Sequence, residues 1–192
     1  MVTQSHVGIV HGRLQPLHNE HLKKYILAAY KQCEFLIVGI TNPDPALTGE
    51  HAAAPHRTQE ASNPFTYYER ALIVQASLLE AGLGWEDFMV VPFPINKPEY
   101  IKYYVPTDAT FFMTIYDKWG HAKRELLENQ GFRVEVLCEE ESRDGTISST
   151  QIRERMAHSG PWEKLVPEAA ARVIKQRKLD QRVARLMKEQ PE

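Results

Sequence analysis

Five short apolar runs rich in β-branched residues recur along the chain, each separated from the next by a longer segment, and this alternation restricts the fold more than any other feature. Val7–Val10, Phe35–Ile40, Met89–Phe93, Thr110–Ile115 and Arg133–Leu137 have the length and composition of strands. The second of them, FLIVGI, has no polar position and reads as a strand covered on both faces. His21–Lys31, Tyr67–Ala81 and Lys118–Asn129 carry the helical period, and Gly82 and Gly131 stand just past two of those helix ends. Strands alternating with helices predict an α/β fold with a mainly parallel sheet. Ligands of such sheets lie beyond the carboxyl ends of the strands, which directs attention to the loops after Val10, Ile40 and Ile115.

The rest of the chain narrows the choice. Residues 41–66 form a long connection rich in Pro, Ala, Asn and Thr, which is expected to be a lid or a disordered loop. From Pro167 onward the sequence is helical and charged, and a solvated or oligomer-forming helix is expected there. For 192 residues this predicts one nucleus over residues 1–160 and a C-terminal helical extension, residues 161–192, of the same domain. No apolar run approaches the roughly 18 residues of a membrane helix, and the opening MVTQSHVGIVHG lacks a basic stretch followed by an apolar one. The two cysteines, Cys33 and Cys138, form neither a disulfide framework nor a metal-ligand spacing, so a cytoplasmic protein is expected. With 23 Lys and Arg against 25 Asp and Glu, nucleic acid is not the expected partner.

The most informative stretch is GRLQPLHNEH, Gly12 to His21, between the first strand and the first helix. A glycine at a strand end lets backbone amides approach a ligand closely. Arg13 follows, and then His18 and His21, three residues apart, present two imidazoles on one face of a helix beginning. Guanidinium, imidazoles and unpaired helix N–H groups converging on one place suit a polyphosphate. As an isolated pair the histidines would equally serve as core or capping residues; no third ligand stands at a metal-site spacing. A second helix start, ISSTQIR from Ile147 to Arg153, offers Ser148 as N-cap with Thr150 and Arg153 in the first turn, a matching half for a triphosphate cradle.

These two segments resemble the paired (H/T)xGH and ISxTxxR motifs of the nucleotidyltransferase superfamily, and most of residues 7–175 is similar to nicotinamide-mononucleotide adenylyltransferases of the archaeal type. NPFT at Asn63–Thr66, with Glu69 and Arg70, and the Gly160-Pro161-Trp162 segment share the likeness. The resemblance implies a Rossmann-like domain with helices on both faces of the sheet. It implies transfer of a nucleotidyl group from a nucleoside triphosphate, with Mg²⁺ carried on the phosphates, to a phosphate-bearing acceptor. His18, His21 and Arg153 would be catalytic; Gly12, Arg13, Ser148, Thr150 and Asp117 would bind the nucleotide. It also allows a homo-oligomer.

Three positions depart from the family pattern. Glu20 replaces the motif glycine. A carboxylate there would repel a triphosphate by about 1 kcal/mol or more, unless it points away toward its own helix N-terminus or helps to hold Mg²⁺; otherwise it marks a site without catalysis. The segment after the third strand, Ile95–Tyr104, lacks the family's tryptophan but carries Lys97, Tyr100 and Lys102, which are expected to meet the acceptor. The loop Thr114–Gly120 replaces the family's Ser/Thr-Gly-Asn, and Ser62 replaces an arginine whose place Arg57 would take. Adenylyl transfer to nicotinamide mononucleotide stands first among the expected reactions. The alternative is a CTP-dependent cytidylyltransferase acting on a small phosphonate such as phosphonoformate; a non-catalytic nucleotide-binding protein is the third reading.

Overall fold

The computed structural model describes residues 5–45, 60–140 and 147–189. Its centre is a five-stranded sheet in the order β3-β2-β1-β4-β5, with every pairing parallel. The strands are β1 (Ser5–Gly12), β2 (Cys33–Thr41), β3 (Phe88–Phe93), β4 (Thr110–Ile115) and β5 (Arg133–Glu139). All five expected strands are present, and β1, β2, β3 and β5 run one to two residues further than their expected runs at one end or both. Backbone pairing with a neighbour carries them past the last apolar side chain, as in the Ser5–Cys33 and Ile115–Glu139 pairs.

The sequence between β1 and β2 folds as a wide π turn, His21–Ile26, continuing into α1 (Leu27–Tyr30). The Leu27 N–H reaches back to the Leu22 carbonyl, the five-residue spacing of that geometry. Helices α2 (Tyr67–Glu80) and α3 (Lys118–Asn129) follow the expected boundaries. The glycines beyond them, Gly82 and Gly131, have φ of +96° and +84°, the left-handed conformation that ends a helix at little steric cost.

Two apolar layers cover the sheet. One face packs α1, α2, α4 (Ser149–Ala157), α5 (Glu168–Gln176) and α6 (Leu179–Lys188) around Val38, Ile40, Leu78, Ile152 and Val183. The opposite face packs α3 and the 3₁₀ segment Pro98–Tyr103, through Leu127 and Ile101, against Ile9, Ile37 and Phe111. Connections therefore change face between β3 and β4, which makes the ends of β1 and β4 the switch point of the sheet. The C-terminal helices are not solvated appendages. Ala170, Ile174, Leu179 and Val183 belong to the main core, and the lysines and arginines stand on exposed faces except Arg182, half-buried against Glu69. None of the described helices is long and apolar enough to cross a membrane.

Candidate active site

The pairing of β1 with β4 is recorded at Gly8 and Ile9, and further along the two strands Tyr25 bridges them. Its buried hydroxyl accepts the His11 N–H at 3.0 Å and donates to the Phe112 carbonyl at 3.0 Å. Burial raises the Tyr25 pKa far above the ordinary phenol value, so the hydroxyl keeps its proton. Around this point opens a cleft of about 360 Å³, lined by the loops that follow β1, β2, β3 and β4 and by the start of α4.

One wall is the loop Gly12–His18. A Cβ built on Gly12 would meet nothing nearer than Leu14 at 3.4 Å, so packing within the chain does not demand a glycine there. Leu14 adopts φ of 50°, rare for a residue with a side chain, and the surroundings hold it there. Gln15, 2% exposed, exchanges two hydrogen bonds with the backbone of Phe65, at 2.9 and 3.0 Å. Arg70, equally buried, donates to the carbonyls of Arg13 (3.0 Å), Thr41 (2.7 Å) and Asn42 (2.7 Å), fastening the ends of β1 and β2 to each other. Burial lowers its pKa to about 10, which leaves it charged at neutral pH.

The second wall joins the first through α4. Ser149 donates to the Pro16 carbonyl at 3.0 Å, and Arg153 donates to the Gln15 carbonyl at 2.7 Å and to Thr150 Oγ1 at 3.2 Å. Ser148 caps the helix as expected: its hydroxyl accepts the Gln151 N–H while the Gln151 side chain accepts the Ser148 N–H. The amino end of α4 and the amino end of the His21 turn thus face one cleft, and both direct the positive end of a helix toward it.

His18 and His21 stack, with ring centroids 3.6 Å apart and planes 22° from parallel. His18 Nδ1 accepts the His21 N–H, at 3.3 Å, so in the neutral ring the proton sits on Nε2. Glu20 does not point away from the cleft; it is one of the lining residues. Its charge is met by Lys24, one turn on, at 2.7 Å, and this contact raises the Lys24 pKa. Asp117 caps α3 by accepting the Gly120 N–H at 2.8 Å, and it too lines the cleft.

Of the residues singled out in the sequence, Gly12, Arg13, His18, His21, Ser148, Thr150 and Asp117 are brought together here. Arg153 lies behind the wall, 4% exposed, with burial lowering its pKa; its described contacts brace the two motifs against each other. Lys97, Tyr100 and Lys102 are not among the lining residues. Tyr100 is exposed, and Lys102 lies over the Tyr103 ring at 5.4 Å. From that segment Ile95 and Asn96 reach the cleft instead, and the lysines that line it are Lys24 and Lys123. The reason is local: the 3₁₀ segment turns inward only at Ile101, which is fully buried against the sheet. Arg57 and the middle of the expected lid, residues 46–59, lie outside the described residues. Gln15, Tyr25, Arg70 and His11 carried no local signal beyond the motif or segment around them. Among the described residues no group of three His, Cys, Asp or Glu side chains is arranged to hold a metal ion.

A switch-point cleft with two convergent helix starts, one bearing paired histidines and the other serine and threonine, defines a nucleotidyltransferase-type α/β protein. No family model matches the chain. Over 176 residues, 92% of this chain and 94% of the relative, it is 46% identical to the phosphonoformate cytidylyltransferase of Streptomyces viridochromogenes. It is 32% identical over 180 residues, 93% of this chain and 87% of the relative, to the nicotinamide-nucleotide adenylyltransferase of Thermococcus onnurineus. Among solved structures, a bifunctional NMN adenylyltransferase/ADP-ribose pyrophosphatase from Francisella tularensis, complexed with AMP and a manganese ion, superposes with a TM-score of 0.63 at 13% identity. The match covers 94% of this chain and about half, 52%, of that one, and it shows the shared fold. The chain belongs to the nucleotidyltransferase superfamily that includes the nicotinamide-mononucleotide adenylyltransferases, and it is a nucleotidyltransferase enzyme.

Proposed function

We propose that this enzyme transfers a cytidylyl group from CTP to a small phosphonate of the phosphonoformate type. The observation that carries the choice is the 46% identity to a phosphonoformate cytidylyltransferase over nearly the whole of both chains, against 32% to the adenylyltransferase of Thermococcus. The cleft supports it. Lys123 lines the cleft and suits a compact anionic acceptor, and Tyr116 and Trp119 offer aromatic surface to a nucleobase. The adenylyl reading therefore takes second place.

An acceptor phosphonate oxygen attacks the α-phosphorus, a new P–O bond forms, the α–β bridge breaks, and pyrophosphate leaves with its electron pair. An ionised phosphonate needs no general base, so the protein's work is positioning and charge stabilisation. His18 and His21 donate to the triphosphate, the amino end of α4 with Ser148 and Thr150 receives the leaving phosphates, and Arg153 holds Thr150 in place. Gly12 and Arg13 lie against the nucleotide, and Asp117 sits on its base side. Mg²⁺ carried on the phosphates would neutralise their charge; the donor set of the cleft suits phosphate oxygens better than a bare cation, since Glu20 is already paired with Lys24. That same pairing supports an active triphosphate site rather than one disabled by Glu20.

Pyrophosphate release with ATP or CTP, crossed against nicotinamide mononucleotide, phosphonoformate and no acceptor, tests the reading. Turnover confined to CTP with phosphonoformate is the expected result. Turnover with ATP and nicotinamide mononucleotide would overturn it in favour of NAD synthesis, and silence in every pairing with nucleotide binding intact would leave a binding protein.

A further inference from the structure

His11 has no part in the triphosphate contacts above. It stands next to last in β1, with its ring on the α3 side of the sheet, stacked on Phe93 at 5.1 Å and edge-on to Phe111 at 6.2 Å. It is 7% exposed and lines the cleft, yet neither ring nitrogen has a hydrogen-bond partner among the described residues. Burial, with the charge of Lys123 added, lowers its pKa to about 3, so the imidazole is neutral at working pH and offers one donor and one acceptor. An apolar residue would pack against two phenylalanines without leaving two buried nitrogens unsatisfied, so the fold gains nothing from a histidine here.

Its position says what it is for. α4 follows β5 on one side of β1, whereas Asn42 and Asn96 follow β2 and β3 on the other. With the triphosphate held between the β1 loop and α4, the end walled by Asn42 and Asn96 is left for the acceptor, and Phe93, on which His11 stacks, closes β3 at that end.

We propose that His11 selects the acceptor: its imidazole hydrogen-bonds an oxygen on the non-attacking end of a compact phosphonate or phosphate that carries a second carbonyl or oxyanion. This rests on the nucleotidyl-transfer reading of the cleft. Both nitrogens are covered in the structure, so the ring turns about its Cβ–Cγ bond to meet the ligand, and the long Asn96–Asn42 hydrogen bond, 3.4 Å, is weak enough to part.

The test compares wild type, His11→Leu and His11→Asn, with CTP and either phosphonoformate or methylphosphonate, which lacks the second group. His11→Leu is expected to raise the phosphonoformate KM at least tenfold and to leave the CTP KM and the methylphosphonate rate within twofold. His11→Asn, which keeps a donor, recovers part of the loss. An unchanged phosphonoformate KM, or a shift falling on CTP instead, overturns the proposal. If wild type turns over no pair, the cytidylyl reading has failed and ¹⁵N spectra decide this one separately. His11 ring signals, assigned by their absence in the variant, are followed while phosphonoformate is added to MgCTP-loaded protein. Movement supports an acceptor contact, and no movement overturns it.

Discussion

At the α4 end of the cleft, the loop from Gly12 to His18 is fastened from three directions: Gln15 to Phe65, Arg70 to the Arg13 carbonyl, and Ser149 with Arg153 to Pro16 and Gln15. At the other end, Arg70 holds the Thr41 and Asn42 carbonyls, but among the described residues the side chains of the loops after β2 and β3 meet only through the 3.4 Å Asn96–Asn42 hydrogen bond, and the His11 ring beside them is unsatisfied. The first end is preorganised, and in the proposed reading it takes the triphosphate. The second leaves the two His11 ring nitrogens for whatever enters. Specificity is thus free to change where the wall is sparse without disturbing the reaction where the wall is dense.

Mutations sharpen the contrast, and the largest effect is expected at the dense end. His18→Ala or His21→Ala should lower turnover about 10²–10³-fold, the usual loss for one transition-state contact, with stability nearly unchanged for His21→Ala and lowered by about 1 kcal/mol for His18→Ala, which loses the acceptor of the His21 N–H; steady-state kinetics beside a melting curve would show both. Unaltered turnover in both variants would break the comparison outright. Arg153→Met should fail differently. It strips the Gln15 carbonyl of its partner, so about 2–3 kcal/mol of unfolding free energy should be lost along with activity, as measured by denaturant titration.

The third expectation concerns pH. The unfolded chain protonates His11 near its ordinary value of 6.5, whereas the folded chain resists until about 3. Protons therefore favour the unfolded state throughout that window: His11 leaves stability untouched above about pH 6.5 and erodes it as pH falls toward 3, at up to about 1.4 kcal/mol per pH unit. His11→Leu should flatten the stability profile between pH 6 and 4, and identical slopes in variant and wild type would refute the burial of that ring. The smallest change is expected from Glu20→Gly. With its charge already balanced by Lys24 at 2.7 Å, restoring the family glycine should alter kcat/KM by less than about threefold.

The sequence made the frame of this molecule readable because strands, helices and caps leave local marks. The apolar runs became β1 to β5, Gly82 and Gly131 turned left-handed, and Ser148 capped α4 with Gln151 three residues on. Both motif segments reached the cleft for the same reason: their spacing expresses a helix start, and helix starts are local. What binds them is not. Gln15 and Phe65 are 50 residues apart, and Arg153 and Gln15 are 138 apart, so no periodicity connects them. Arg153 therefore looked like a phosphate ligand, although its described hydrogen bonds go to a carbonyl and a hydroxyl of its own chain. Lys97, Tyr100 and Lys102 looked suited to the acceptor by residue type, but the orientation of their short 3₁₀ segment is set by the burial of Ile101, which composition does not reveal. Residues alone put adenylyl transfer first and cytidylyl transfer second, and the similarity of whole chains favours the second.

The distances along the chain spanned by these fastenings have a consequence for biogenesis. Synthesis delivers Gln15 and His18 early, Phe65 and Arg70 next, Arg153 after more than three quarters of the chain, and Arg182, which grips Glu69 through two 2.7 Å hydrogen bonds, almost last. Contacts of such separation close slowly and only when both partners exist. A nascent chain halted before Arg153 already carries both histidines but cannot assemble a nucleotide cradle. On the proposed function, nucleotide binding thereby waits for synthesis to pass α4.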